Sequence, residues 1–284
     1  MRSRRSPPLL DADGLPLGSL REINLLPMEV KEGIYRELLP EKIFDLFPIE
    51  REALLDADGE RSVQFICPAG LGLVRLDVRL RRSDRDSLFF VEIADTPFRQ
   101  MELSFCLVND PSSPRFQVDV DVDGRDNSFA TTRRNRGEEE RAMAAGLLPH
   151  QVRRGLGLFS QFFRNLEGLV ARLGSGLIVA EPLSYDNAIR YERYGFDYLA
   201  GKQLMQSIDA DFQPGGALAQ RLDGSTPFRQ PGMELSLWGR SWAIHDGILG
   251  RPWDGVRIYK VPGRHAGINT FPGVLSPAIC KGSS

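Results

Sequence analysis

Residues 151–159 read "QVRRGLGLF": two arginines, two glycines, then the start of an aromatic-rich run. A glycine turn that opens a helix lets backbone N–H groups approach phosphate oxygens with no Cβ in the way, and the helix N-terminus adds favourable dipole charge. The same spelling also serves as a flexible entry into a helix. What precedes and follows decides between them.

Downstream, Phe159, Phe162, Phe163, Leu166, Leu169, Val170 and Leu173 lie at helical spacing, with Gly174 as a stop. The aromatics read as core. "GLIVAEPLS" then reads as a short buried strand, and "YDNAIRYERYGF" as a second helix closing at Gly195. Upstream, "RSVQFIC", "LGLVRLDVRLR", "SLFFVEIAD", "MELSFCLVND" and "RFQVDVDVDG" read as strands separated by Gly, Pro, Asp and Ser clusters, the patterning of a largely antiparallel sheet. In the last of these, Val118, Val120 and Val122 are expected to face the core and Asp119, Asp121 and Asp123 the other side, before an Asp-Gly turn. A calcium loop beginning at Asp119 is excluded, because its twelfth position is Ala130 and not a bidentate Glu. The charged block "RRNRGEEERAMAAG" is expected to form a short solvated helix ending at Gly146, with a lid over a site as the alternative.

Two nucleotide-type readings fit the glycine turn. In the dinucleotide reading, Gly155, Gly157 and Ser160 approximate GxGxxG and Glu181 holds a ribose hydroxyl. That motif needs a buried apolar strand immediately before the glycines, whereas "LPHQVRR" is polar and contains Pro149. In the other reading, the block 147–199 resembles the GCN5-related N-acetyltransferase superfamily. "LLPHQVRRGLGLF" resembles its Arg/Gln-x-x-Gly-x-Gly/Ala pyrophosphate loop, "GLIVAEPLS" its fifth strand, and "NAIRYERYGFDYL" its Asn-x-x-Ala…Tyr-Glu-x-x-Gly-Phe ending. Val152 stands three residues before the first glycine, where the family has Arg or Gln, and Gln151 is one place further back. Asn187 and Ala188 are adjacent, and Ser184 occupies the family's Asn offset.

The resemblance implies an α+β fold, a mixed and largely antiparallel sheet flanked by helices, whose fourth and fifth strands splay so that a pantetheine arm lies between them. It implies acetyl-CoA or another acyl-CoA as co-substrate and a small-molecule or protein amine as acceptor. Gln151, Val152, Arg153, Arg154, Gly155, Leu156, Gly157 and Asn187 are the positions it assigns to cofactor binding. Tyr191 is implied as the acid for the departing thiolate, with Tyr194 as the fallback. A base is sought among His150, which titrates in the useful range, Asp119, Asp121, Asp123, Glu92 and Glu102, with His245 and His265 in the remaining sequence. Phe159, Phe162 and Phe163 lining a long-acyl pocket is the alternative to core packing. A noncatalytic ligand-binding or assembly module with the same fold is the alternative to an enzyme.

The 284 residues divide in this reading into a tail (1–20), an N-terminal helical layer (21–60), an acyltransferase-like core (61–210) and a C-terminal extension (211–284) holding Trp238, Trp242 and Trp253. In the helical layer Val30, Ile34, Leu38 and Leu39 follow helical spacing up to Pro40, and a second short helix falls around Ile43 to Leu46. A net charge of −2 demands no polyanionic partner, so no nucleic acid is expected. The predominance of arginine over lysine fits either planar anion recognition or genome composition. Cys67, Cys106 and Cys280 form no disulfide framework or zinc pattern, and no metal is expected. With no signal-peptide h-region and no span of about 18 apolar residues, a soluble cytoplasmic protein is expected.

Overall fold

The computed structural model describes residues 7–128 and 132–272. Residues 1–6, Ala130 and Cys280 lie outside the described residues. The elements run α1 (Leu20–Ile23), α2 (Met28–Arg36), α3 (Lys42–Leu46), β1 (Val63–Ile66), β2 (Leu73–Val78), β3 (Phe89–Asp95), β4 (Met101–Val108), α4 (Arg136–Ala144), α5 (Phe159–Arg172), β5 (Ile178–Ala180), α6 (Tyr185–Arg193), β6 (Asp197–Ala200), α7 (Lys202–Asp211), α8 (Ala217–Gln220), α9 (Leu237–His245) and β7 (Arg257–Lys260). The fold is α+β with a mixed seven-stranded sheet in the order β1-β2-β3-β4-β5-β7-β6. The described residues cluster into two units: 7–111, 155–180 and 259–264, and 112–154, 181–258 and 265–272 with the same omission at 129–131.

In the first unit β1 to β4 form an antiparallel meander. Alternation drives it: Phe89, Val91 and Ile93 of β3 are buried on one face. The β3–β4 register shifts between Glu92 and Ile93, which pair with Phe105 and Leu103, so Ser104 is the extra residue of a bulge. β5 joins β4 in parallel through only two pairs, Met101↔Ile178 and Glu102↔Val179. The apolar stripe of α5 buries Phe162, Phe163, Leu166, Leu169 and Val170, with Phe162 edge-on to Phe89 of β3 at 5.5 Å.

The N-terminal layer is tied down by polar groups. Asp95, at the end of β3, accepts the first N–H groups of α1 from Leu20 (3.0 Å) and Arg21 (2.9 Å). Asn24 donates to Leu71 and Leu73 carbonyls and accepts from the Tyr35 hydroxyl at 2.6 Å, while Lys31 Nζ donates to the Cys67 carbonyl at 2.9 Å. The buried side of α2 is therefore Lys31 and Tyr35, one position round from the expected stripe, and Val30 is 49% exposed. The stretch read as a tail carries buried Leu9 and Leu17 from residue 7 onward, closed by a bridge between Leu10 and Pro16.

The second unit joins stretches far apart in sequence. Residues 118–123 are not the expected strand. Asp121 is buried and its Oδ1 accepts from Asp123 N (2.9 Å) and Arg125 N (3.0 Å), so the chain turns early and makes only the isolated bridge Val120↔Asp126. Side-chain capture of backbone N–H competes with a ladder, and here it wins. Val118 and Val120 still reach the core, but Val122 is 71% exposed. Phe116 and Val118 pack with Ala142, Leu147 and Val152. The charged block forms α4 as expected, N-capped by Asn135 and followed by Gly146 at φ +80°.

α9 belongs to the same unit. Its Trp238 and Trp242 indoles both donate to the Leu147 carbonyl at 2.9 Å, and Trp242 stacks on Phe228 at 5.3 Å. Trp253 donates to the Pro182 carbonyl at 2.9 Å. Gly239 lies in the first turn of α9, and a Cβ there would fall 2.3 Å from the Met233 carbonyl oxygen, a backbone atom. Gly239→Ala is expected to destabilise by about 1–3 kcal/mol through this overlap, outweighing the ~1 kcal/mol that alanine gains in a helix. Urea unfolding followed by tryptophan emission reads it, and a stabilised variant contradicts it.

Candidate functional site

The first unit brings a strand end and a glycine turn together. β4 ends at Val108, and Gly155 lies against it: a Cβ on Gly155 would stand 3.6 Å from the Val108 carbonyl oxygen. The strand meeting the glycine turn is thus "MELSFCLV", not the valine–aspartate segment, and residues 109–154 are inserted between the two. Gly157 has φ +68°, a conformation that favours glycine, whereas Gly155 does not. Both are exposed. α5 follows at once, with no side-chain cap at Leu158 and no acidic residue in its first turn. Its N-terminal partial positive charge is therefore met neither by a cap from Leu158 nor by an acid of its own first turn.

Along β4 the ladder to β5 stops at Glu102↔Val179, and β4 continues for six more residues to Val108. The bulge residue Ser104 stands outside the β3–β4 pairing just past that point. The unit thus offers a strand that runs on past its short parallel neighbour, which ends at Ala180, and leads to a glycine turn at a helix N-terminus. Such an arrangement can hold an extended, amide-bearing chain along the strand and an anion at the turn. Glu102 occupies the last shared rung, on the face of β4 opposite buried Met101 and Leu103. Desolvation pushes the half-buried Cys106 thiol up to about 12, which favours its protonated form.

The polar residues just before the turn belong to the second unit. Gln151 accepts the Leu148 N–H at 2.8 Å and closes its own turn. Val152 is buried in the Phe116 cluster and its carbonyl accepts from Phe116 N at 2.8 Å. Arg153 donates to the Ser113 carbonyl, and Arg154 donates through its backbone N–H to Ser113 Oγ (3.2 Å) and through its guanidinium to the Ala145 carbonyl (3.3 Å). Leu156, inside the turn, is half-buried. Residues 147–154 form no strand, so the buried strand that the dinucleotide reading requires immediately before the glycines is absent there; Glu181 is exposed and pairs with Arg257 at 2.9 Å.

α6 carries Asn187 in its first turn and Tyr191 in its last, with Tyr194 as C-cap. Tyr191 and Tyr194 are half-buried, and the Tyr191 ring meets Phe196 edge-on at 4.9 Å. Ser184 precedes the helix and donates to Asp186 at 2.7 Å; burial raises the Asp186 carboxyl above its ordinary range. Among the other base candidates, Asp119 pairs with Arg115 (2.6 Å), Asp123 with Arg133 (3.2 Å) and Glu92 with Arg75, while Asp121 is engaged in its turn. His265 accepts from or donates to main-chain neighbours, with Nε2 3.2 Å from the Arg193 carbonyl.

His150 meets an ionic cluster that no spacing in the sequence announces. Its ring contacts His245 at 4.6 Å, and His245 Nε2 lies 2.9 Å from Glu139 Oε1. Arg134 grips Glu139 (2.6 Å) and Asp246 (2.9 Å), and Asp246 also accepts from Arg229 and Thr226, both at 2.9 Å. The only hint in the sequence is the adjacency of His245 and Asp246, separated by about a hundred residues from the charged block that supplies their partners.

Among the described residues, no group of three or more His, Cys, Asp or Glu side chains could hold a metal ion, and no helix is long and apolar enough to cross a membrane. Comparison with protein-family models, with curated proteins and with solved structures finds no match.

Proposed function

We propose that this chain binds an acyl-coenzyme A along β4 and the glycine turn, and transfers the acyl group to a primary amine, in the manner of the GCN5-related N-acetyltransferase superfamily that residues 147–199 resemble. The observation that carries this reading is the β4–β5 ladder that stops after two pairs beside a glycine turn opening an uncapped helix. A pantetheine arm supplies amides for a strand edge, and its pyrophosphate suits the amides and dipole at the start of α5. The bound thioester supplies an acyl group open to attack by a neutral amine. The bulge at Ser104 is the type of backbone irregularity that can turn an N–H toward charge developing on a carbonyl oxygen. Glu102 at the last rung is the base this arrangement favours, and the resemblance gives Tyr191 the role of proton donor to the thiolate, with Tyr194 as the alternative.

A second reading, a ligand-binding module without turnover, is favoured by the engagement of Gln151, Val152 and Arg153 within their own unit. Calorimetric titration with acetyl-coenzyme A tests the first. Gly155→Asp is a clean partner variant, because its backbone does not need glycine and an added Cβ meets only ordinary contact. Micromolar binding weakened at least about tenfold, ~1.4 kcal/mol, by the new carboxylate is the expected result. Absence of binding by the wild type removes the proposal; binding without amine-dependent thiol release selects the second reading.

A further inference from the structure

Two of the chain's three histidines, His150 and His245, meet in the second unit, 4.6 Å between ring centroids and nearly perpendicular. Among the described residues, charged groups reach them from several elements. α4 supplies Glu139 and, 3.8 Å from Asp246, Arg136, and the segment before it supplies Arg134. The C-cap of α9 supplies Asp246, the loop after α8 supplies Arg229, and α6, packed on α9, supplies Asp186. Glu139 and Asp246, both almost fully buried, are matched by Arg134 and Arg229 before either imidazole takes a proton. A charge on His150 would therefore face His245 and Arg134, with Glu139 already shared between those two.

We propose that the His150–His245 contact is an acid-sensitive latch fastening the segment 133–154 to α9, closed at neutral pH and opened by protonation of His150. Burial, then the charges of His245 and Arg134, pull the His150 imidazole down to about 4, with Glu139 opposing. The folded value lies below the ordinary 6.5, so the latch is at full strength above about pH 6.5 and is lost as pH falls toward about 4. Glu139, held near 2 by His245 and Arg134 despite its burial, stays ionised across that window and is not the trigger.

The protein carries its own reporter. Leu147, three residues before His150, accepts both the Trp238 and Trp242 indoles, and Trp242 lies 5.7 Å from His245. Tryptophan emission and amide exchange of α4 in the full chain, followed from pH 7.5 to 4, should show an opening constant rising about tenfold per pH unit, the signature of one proton taken up. His150→Asn suits the left-handed backbone at this position, φ +66°, and should flatten the dependence. An unchanged acid transition in that variant, or none in the wild type, overturns the latch. Direct NMR titration of the wild-type imidazoles tests the latch without a variant: protonation of His150 well below pH 6.5 supports it, and protonation at or above pH 6.5 rules it out.

Discussion

Glu139→Ala is expected to lower the stability of the second unit by about 3–5 kcal/mol, the cost of breaking a buried ion pair from one side. Glu139 is 2% exposed at its side chain and takes Arg134 with both oxygens and His245 with one. Its removal leaves a guanidinium 17% exposed with only Asp246 to balance it, and Asp246 is already shared with Arg229. The lost methylenes are the smaller effect, since the unpaired charge must be rehydrated or repelled. Glu139→Gln keeps the shape and some of the hydrogen bonds, so about 1.5–3 kcal/mol is expected there. The pH dependence has a definite sign. The carboxyl is held at about 2 against an ordinary 4.5, so its contribution is complete above about pH 4.5 and disappears toward pH 2. The gap between wild type and Glu139→Ala should close over that interval. Urea unfolding read by Trp238 and Trp242 measures both quantities, and a loss below about 1 kcal/mol at pH 7 would show that the cluster is solvated.

In the first unit Phe162→Ala carries the other large effect, about 3–5 kcal/mol. Phe162 is fully buried, edge-on to Phe89 at 5.5 Å and to Phe159 at 5.9 Å, so deletion of its ring leaves a cavity between α5 and β3. Phe159, half-buried at the start of the helix, should cost less. This contrast separates core packing from a long-acyl pocket: a pocket-lining ring changes acyl preference with modest loss of stability, whereas a core ring does the reverse. All three tryptophans lie in the second unit, so the measurement here is amide exchange of α5 or circular dichroism. Unchanged exchange protection in α5 would place Phe162 outside the core that its burial describes.

Much of the frame is legible in the sequence because it is local. The strands from Val63 to Val108 alternate over adjacent residues, α5 repeats its apolar stripe for four turns, and Gly174 and Gly195 end their helices at φ +68° and +84°. The valine–aspartate segment has the same alternation as a real strand. What differs is that the Asp121 side chain binds two backbone N–H groups, a choice that residue types alone do not reveal. The buried face of α2 departs from its apolar spacing because Lys31 is sunk onto main-chain carbonyls, an environment made by Asn24 and Cys67. Within the site, the glycine turn is readable as spelling, but its strand is not, since β4 and Gly155 are separated by the inserted residues 109–154. The Glu139–His245 pair joins residues 106 apart, beyond the reach of any periodicity.

The first unit is completed by residues 259–264, where Lys260 Nζ lies 3.2 Å from Glu167 and Gly263 N donates to the same carboxylate at 2.9 Å. During synthesis, about 80 residues separate Ala180 from Lys260, roughly 4–16 s of elongation at 5–20 residues per second. Throughout that interval Glu167 lacks its lysine, and α4 waits for α9 to bring His245. The nascent chain therefore holds two unfinished cores at once: the first is completed only when residues 259–264 have emerged from the ribosome, and the second only when Thr270 and Phe271 have followed.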